Sequence, residues 1–361
     1  MNMIDYIGWR GDITFEEKGL NDIDNLIFSE LAYMDLKDIL SLDGSDCLTI
    51  EEIYDAYTAK GVDQSHMMND PLPVLRKAAL SERFRHVRAR WYYDDVDADR
   101  QIQFAAITFL YREDESYIAF RGTDNTLIGW RECFNMSYLS ETPGQSGAVM
   151  YLNRIADQLK GSLYIGGHSK GGNFAVYASA FCDEAVRDRI VKVFSNDGPG
   201  FLSEVADSEN YIAAVPKIRK FVPDSSLVGA LLSDRVGKII IKSSVKGFTQ
   251  HDPYTWNVIG PRFEQSEERT AGSVILSDTM RRWLSSLSDD NKRIFVDSLF
   301  NALDEAGVKN VRDLGENRLS TYHAIIKAVS KLDTQTMADF QNTLKMLVKT
   351  GTEVALNNQK H

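Results

Sequence analysis

The stretch LYIGGHSKGGNFAVYAS, residues 163–179, decides how the rest of the chain is read. It begins with apolar, β-prone residues, turns glycine-rich, and ends in small residues that suit a helix. Within it lies Gly167-His168-Ser169-Lys170-Gly171, a G-x-S-x-G pattern set between a strand and a helix. A nucleophile on so sharp a turn occupies strained backbone, and bulky neighbours would clash there, so glycines flank it. The following helix turns its free N–H groups and the positive end of its dipole towards the place where an oxyanion would form. Five residues alone make a weak motif, but here the strand–turn–helix context is complete. Ser169 is therefore the expected nucleophile, with Gly167, His168 and Gly171 shaping the elbow.

Working outward, FAAITFLY (residues 104–111) and SYIAFRG (116–122), joined by the charged turn REDE, predict a hairpin. A helix is expected after the Pro143–Gly144 break, with Val149, Leu152, Ile155, Ala156 and Leu159 on one face. Further strands are expected over 163–165, 191–195, 217–222 and 238–243, with a helix from Ser169 to Cys182. Strands alternating with helices imply an α/β chain with a mostly parallel central sheet covered on both faces.

Towards the N-terminus, Ile23, Leu26, Ile27, Leu31 and Met34 predict an amphipathic helix over 21–40. Thr49 and Glu52 make a capping-box pattern for a second one. The intervening SLDGSDCLTIEE resembles a calcium loop only superficially. With Gly44 at the glycine position, Ile39 and Ile50 would fall on the first and last ligand positions, so a capped turn is expected. Beyond about residue 260 strand signals fade, and helices are expected over 280–287, 290–306, 319–329 and 334–356. The expected division is thus 1–260 for the α/β domain with its N-terminal helices, and 261–361 for a helical accessory region. Trp283, Leu284, Leu287, Ile294, Phe295, Leu299 and Phe300 give the latter apolar faces that need burial against the core, a second copy of the chain or a lipid surface.

The 361 residues carry a net charge of −11, which argues against nucleic acid as a partner, and 43% of them are hydrophobic, which suits a packed core. No apolar run is long enough for a transmembrane helix, and MNMIDYIGWRGDITFEE lacks the basic-then-apolar pattern of a signal peptide. Cys47, Cys133 and Cys182 are odd in number and widely spaced, so free thiols in a cytoplasmic protein are expected, with no metal and no cofactor.

A serine needs a base, and in this chain order the base comes after the nucleophile and the acid. Of the six histidines, His251 in GFTQHDPYTW is the expected base, because His361 is terminal and His323 lies in a helical pattern. His168 is expected to pack beneath the turn. Two aspartates compete for the acid. Asp224 in KFVPDSSLVG directly follows a strand and a stiffening proline, whereas Asp197 in FSNDGPGF sits in ordinary turn chemistry. Asp224 is the expected acid, and Asp252 is expected to cap the next turn.

Together, AFRGTD (119–124), GGHSKGG (166–172), FVPD (221–224) and the late His251 resemble the class 3 lipase pattern. They are more similar still to the bacterial lipase-like group called Mbeg1-like, as are WRGDITF (9–15) and DNLIFSELAYMD (24–35). The resemblance spans roughly residues 5–260. It implies an α/β-hydrolase fold and cleavage of a small-molecule or lipid acyl ester without a metal. It also implies oxyanion donors at the backbone N–H groups of Thr123 and Lys170. Rival expectations are a thioesterase or peptidase on the same fold, or a catalytically silent scaffold. Two positions depart from the class 3 pattern. Lys170 replaces an apolar residue, and a cation there opposes the helix dipole by roughly 0.3–1 kcal/mol. Its ammonium is expected either to reach water or to meet an anionic group of the substrate. Gly129-Trp130 stands in place of asparagine-tryptophan, which leaves the anchoring of the oxyanion loop open.

Overall fold

In the computed structural model, the described residues are 1–61, 70–305 and 307–310, with isolated positions 323, 327, 330, 334 and 338. Eight strands form one sheet whose spatial order is the order of the chain. Strands β1 (Cys47–Thr49), β2 (Arg88–Asp97), β3 (Ile102–Arg112) and β4 (Glu115–Phe120) pair antiparallel. Strands β5 (Ser162–His168), β6 (Ile190–Asn196), β7 (Ile218–Pro223) and β8 (Lys238–Ile241) continue in parallel from β4. The β3–β4 hairpin and the four later strands match the sequence expectation. Strands β1 and β2 do not appear in it. In β2 the alternation is broken by a bulge between Arg90 and Tyr93, where Trp91 takes a left-handed φ of 56°.

The N-terminal segment supplies α1 (Met3–Arg10), α2 (Asp22–Leu31), α3 (Ile50–Lys60) and α4 (Leu72–Ala79). The crossovers supply α5 (Leu127–Asn135), α6 (Pro143–Ala156), α7 (Lys170–Phe181), α8 (Glu184–Arg189), α9 (Ser203–Ala206) and α10 (Glu209–Ala214). Because β4 to β8 lie in chain order, crossovers of one hand all pass over the same face of the sheet. On that face Phe104, Phe120 and Ile165 pack with Leu152 of α6 and Phe174 of α7. The opposite face is left for the N-terminal helices. There Leu26 and Phe28 of α2 join Phe84, Phe109 and Tyr117, with Phe28 stacked on Phe109 at 4.8 Å.

Helix α2 starts where Asn21 caps the N–H groups of Ile23 and Asp24, but it stops at Leu31 and does not run on to residue 40. The Asp35 carboxylate accepts from the Lys37 N–H, a local turn that competes with helix. The Thr49–Glu52 capping box forms at α3, and the residues before it make a turn in which Asp43 accepts from Ser41 and Ser45.

Past residue 258 the chain makes a small hairpin, β9 (Val258–Ile259) and β10 (Arg262–Phe263), turning at Gly260. Phe263 packs against Phe221 of β7 at 4.8 Å, so the chain crosses residue 260 while still part of the core. Two helices follow, α11 (Ala271–Ser286) and α12 (Asp289–Glu305). Phe300 of α12 meets Phe134 of α5 edge-on at 5.5 Å, and Asp297 pairs with Arg131. The helices expected over 319–329 and 334–356 fall outside the described residues, apart from those isolated positions. Among the described residues no helix is long and apolar enough to cross a membrane. The mostly parallel sheet with helices on both faces is an α/β-hydrolase fold with an N-terminal helical extension and a C-terminal helical appendage.

Candidate active site

Strand β5 delivers Ser169 to the start of α7 with φ 55° and ψ −127°, the strained geometry of an elbow. A Cβ at Gly167 would lie 2.4 Å from the Gly171 carbonyl carbon, and one at Gly171 would lie 2.1 Å from the Phe120 oxygen. Only glycine fits at either position. The Ser169 N–H donates to the Asn196 carbonyl at 2.9 Å, which ties the elbow to β6. Asn196 exchanges side-chain hydrogen bonds with Asn25 of α2, and Tyr117 donates to Asn25 as well. The N-terminal helix therefore braces the turn from below.

His251 lies in a turn after β8. Its Nε2 is 2.9 Å from Ser169 Oγ, and its Nδ1 is 2.6 Å from an Asp197 carboxylate oxygen. Asp197, not Asp224, faces the histidine. It is the residue after β6 and takes a left-handed φ of 51°. Its buried carboxylate also accepts from the Ser226 hydroxyl at 2.7 Å and the Gly229 N–H at 3.1 Å, so it is fixed from three sides. Asp224 accepts instead from Gln250 Nε2 and from Ser225 Oγ, both at 3.0 Å. The expectation of Asp224 as the partner of His251 is therefore corrected, because His251 Nδ1 meets Asp197. Asp252 accepts from the Tyr254 N–H and caps the following turn, as expected.

His168 lies buried beneath the turn. Its Nε2 is 2.9 Å from the carbonyl of His251, and its Nδ1 is 3.1 Å from the Tyr33 hydroxyl. Burial, and then the neighbouring His251 ring, hold it neutral, well below the usual imidazole range. With a carbonyl at Nε2, that nitrogen carries the proton and Nδ1 accepts from Tyr33.

The Lys170 ammonium reaches neither water nor the cavity, which corrects both expectations for it. It is fully buried, donating to the Gln103 carbonyl, to Gln103 Oε1 at 2.6 Å and to Glu132 Oε2 at 2.8 Å. The unfavourable charge at the helix start is thus neutralised by a carboxylate, which also accepts from the Gly144 N–H. Gln103 in turn donates to the Gly122 carbonyl, and the Thr123 hydroxyl contacts Cys133 Sγ at 2.8 Å. Arg121 is locked on Asp94 at 2.9 Å. The loop carrying Thr123 is therefore held residue by residue, and α5, where Gly129-Trp130 lies, anchors it through Glu132 and Cys133. Sequence gives no hint of Glu132 or Gln103, because neither belongs to a local motif.

Ser169, His251, Thr123 and Lys170 open on a cavity of about 670 Å³. Its other walls are almost wholly apolar: Trp130 and Phe134 of α5, Leu227, Val228, Leu231 and Leu232, Trp283 of α11 with Leu287 just after it, and Phe295 and Val296 of α12. That volume lies within the usual range for a ligand site. Among the described residues no cluster of His, Cys, Asp or Glu is arranged to hold a metal ion, and Cys47, Cys133 and Cys182 are free thiols.

Among the solved structures similar to this chain are two lipases. The M37 lipase is 15% identical, with a TM-score of 0.37 over 57% of this chain and 68% of that one. Rhizomucor miehei lipase, in its propeptide complex, is 13% identical, with a TM-score of 0.37 over 60% of this chain and 67% of that one. Among curated proteins none matches. The Mbeg1-like family model matches residues 78–301, more than half of the sequence, and the chain belongs to the Mbeg1-like family.

Proposed function

We propose that the protein is a serine hydrolase that cleaves carboxylic esters with an apolar acyl group. The observation that carries this reading is the unbroken chain from Ser169 Oγ through His251 to Asp197, at 2.9 and 2.6 Å, opening on an apolar cavity. In the first half-reaction Ser169 Oγ attacks the ester carbonyl while His251 Nε2 takes its proton. Asp197 holds Nδ1–H, so that Nε2 is free to accept, and it stabilises the imidazolium that forms. The backbone N–H groups of Thr123 and Lys170 receive the oxyanion, and the buried Lys170–Glu132–Gln103 set keeps both in place. The imidazolium then protonates the leaving alcohol, and water releases the acyl group by the reverse proton path. The apolar walls contributed by α11 and α12 make the helical region a roof over the acyl site.

Hydrolysis of nitrophenyl esters of increasing acyl length tests the reading. Purified protein should turn them over, and Ser169→Ala should lose several orders of magnitude in kcat while remaining folded. Thioester and amide substrates run alongside should be slower than the ester. Near-native turnover by Ser169→Ala would sink the assignment.

A further inference from the structure

Glu30 lies on the buried side of α2, fully shielded from solvent, and neither of its carboxyl oxygens has a hydrogen-bond partner among the described residues. An unpaired carboxylate in such a place is very costly, and buried carboxyls are ordinarily matched. Elsewhere in this molecule they are: Asp24 meets Arg83, Asp94 meets Arg121, Glu132 meets Lys170 and Asp234 meets Lys220. Glu30 meets no such cation. Facing it are Tyr33 from the turn after α2, His168 at the end of β5, and Asp252 and Tyr254 from the loop after β8. Burial first, and then the Asp252 charge, push its carboxyl well above the usual carboxylate range.

The 3.7 Å approach of Glu30 to His168 Nδ1 is therefore a contact between two neutral groups and not an ion pair, since burial also disfavours charge on the imidazole. The neutral state matters because of what lies beyond. His168 holds the His251 carbonyl through Nε2–H, and the two rings stand 4.7 Å apart. A proton passed from Glu30 to His168 would put a cation beside the base and oppose the charge that His251 takes up in the reaction.

We propose that Glu30 is kept as an uncharged carboxylic acid and acts as a positioning residue, keeping His168 neutral while His168 fixes the main chain of His251. The positioning half rests on the proposed role of His251 as base. The charge-state half does not.

Glu30→Gln keeps the shape and removes the titrating group. A group whose folded pKa is raised stabilises fully below its unfolded value and loses that contribution as pH rises towards the folded value. As pH rises above the usual carboxylate range, the wild type should therefore lose ground to Glu30→Gln, by up to about tenfold in the folding constant per pH unit. Infrared difference spectra at pH 7 should show a carboxylic-acid carbonyl band in the wild type that Glu30→Gln lacks. A pH-independent stability difference, or no such band, would overturn the charge state.

For positioning, Glu30→Gln should keep kcat and KM. Glu30→Ala, which opens space beside His168, should lower kcat about tenfold or more at unchanged KM. A merely space-filling Glu30 would lower the melting temperature of the alanine variant and leave kcat per folded molecule untouched, and that result overturns the role. So does equal loss of kcat in both variants. Were the wild type inactive on every ester, the functional reading would fall separately. The downfield NMR proton of the His251–Asp197 hydrogen bond would then decide, retained in Glu30→Gln and shifted in Glu30→Ala if the role is right, or unmoved in both if it is wrong.

Discussion

Asp197 and Asp224 both follow parallel strands, yet only Asp197 meets His251. Asp197 takes a left-handed φ of 51°, which an aspartate tolerates better than most residues. The Asn-Asp-Gly string reads as a turn in the sequence, and it is one. What local sequence does not carry is that the turn aims a carboxylate at a histidine 54 positions later. Ser169 and His251 are legible because a five-residue pattern marks one and elimination within the chain order marks the other. Lys170 is visible as an anomaly, but its partner Glu132 is 38 positions away and has no motif. Asp197→Ala should lose on the order of 10⁴ in kcat. Asp224→Ala should stay within about tenfold of wild type while melting earlier, since the Asp224 carboxylate accepts from Gln250 and Ser225. Initial rates and thermal melts separate the two. Glu132→Ala leaves a buried ammonium without its carboxylate, and denaturant titration should show a loss of about 3–5 kcal/mol.

Among the elements, those with a clean period are readable before folding: β3 to β8, the capped α3, and α7 after the elbow. Those whose shape depends on a partner are not. β2 hides behind a bulge, and α2 gives way to a turn at Asp35 although its apolar period continues. The apolar faces of α11 and α12 are visible in the sequence, but their partner is not. In the structure Trp283, Phe295 and Phe300 pack with Trp130 and Tyr138, and the same helices close the cavity. Leu287→Asp places a charge in that apolar wall. It should lower kcat/KM for long acyl esters more than tenfold relative to an acetyl ester, because a desolvated carboxylate is costly only where the chain must cover it. Equal effects on both substrates would show that the roof does not hold the acyl group.

On the scale of the whole molecule, sequential strand order sends the crossovers to one face and leaves the other to residues before the sheet. The N-terminal helices thus pack directly on the sheet. They cover Phe109 and Tyr117, lock Asp24 on Arg83, and place Asn25, Glu30 and Tyr33 under the elbow. The family match begins at residue 78, but a chain cut near there would bare a full sheet face. A truncation lacking residues 1–77 should show no cooperative thermal transition, whereas one folding to a soluble monomer would contradict this.

The central claim is that Ser169, His251 and Asp197 work as one unit, and the rate of covalent labelling by a fluorophosphonate, followed by intact-protein mass, tests it most directly. A single adduct on Ser169 is expected in the wild type and none in Ser169→Ala. His251→Ala and Asp197→Ala should label at least about a hundredfold more slowly, and Asp224→Ala at close to the native rate. A wild type that stays unlabelled, or an Asp197→Ala variant that labels as fast as the native protein, would contradict the assignment.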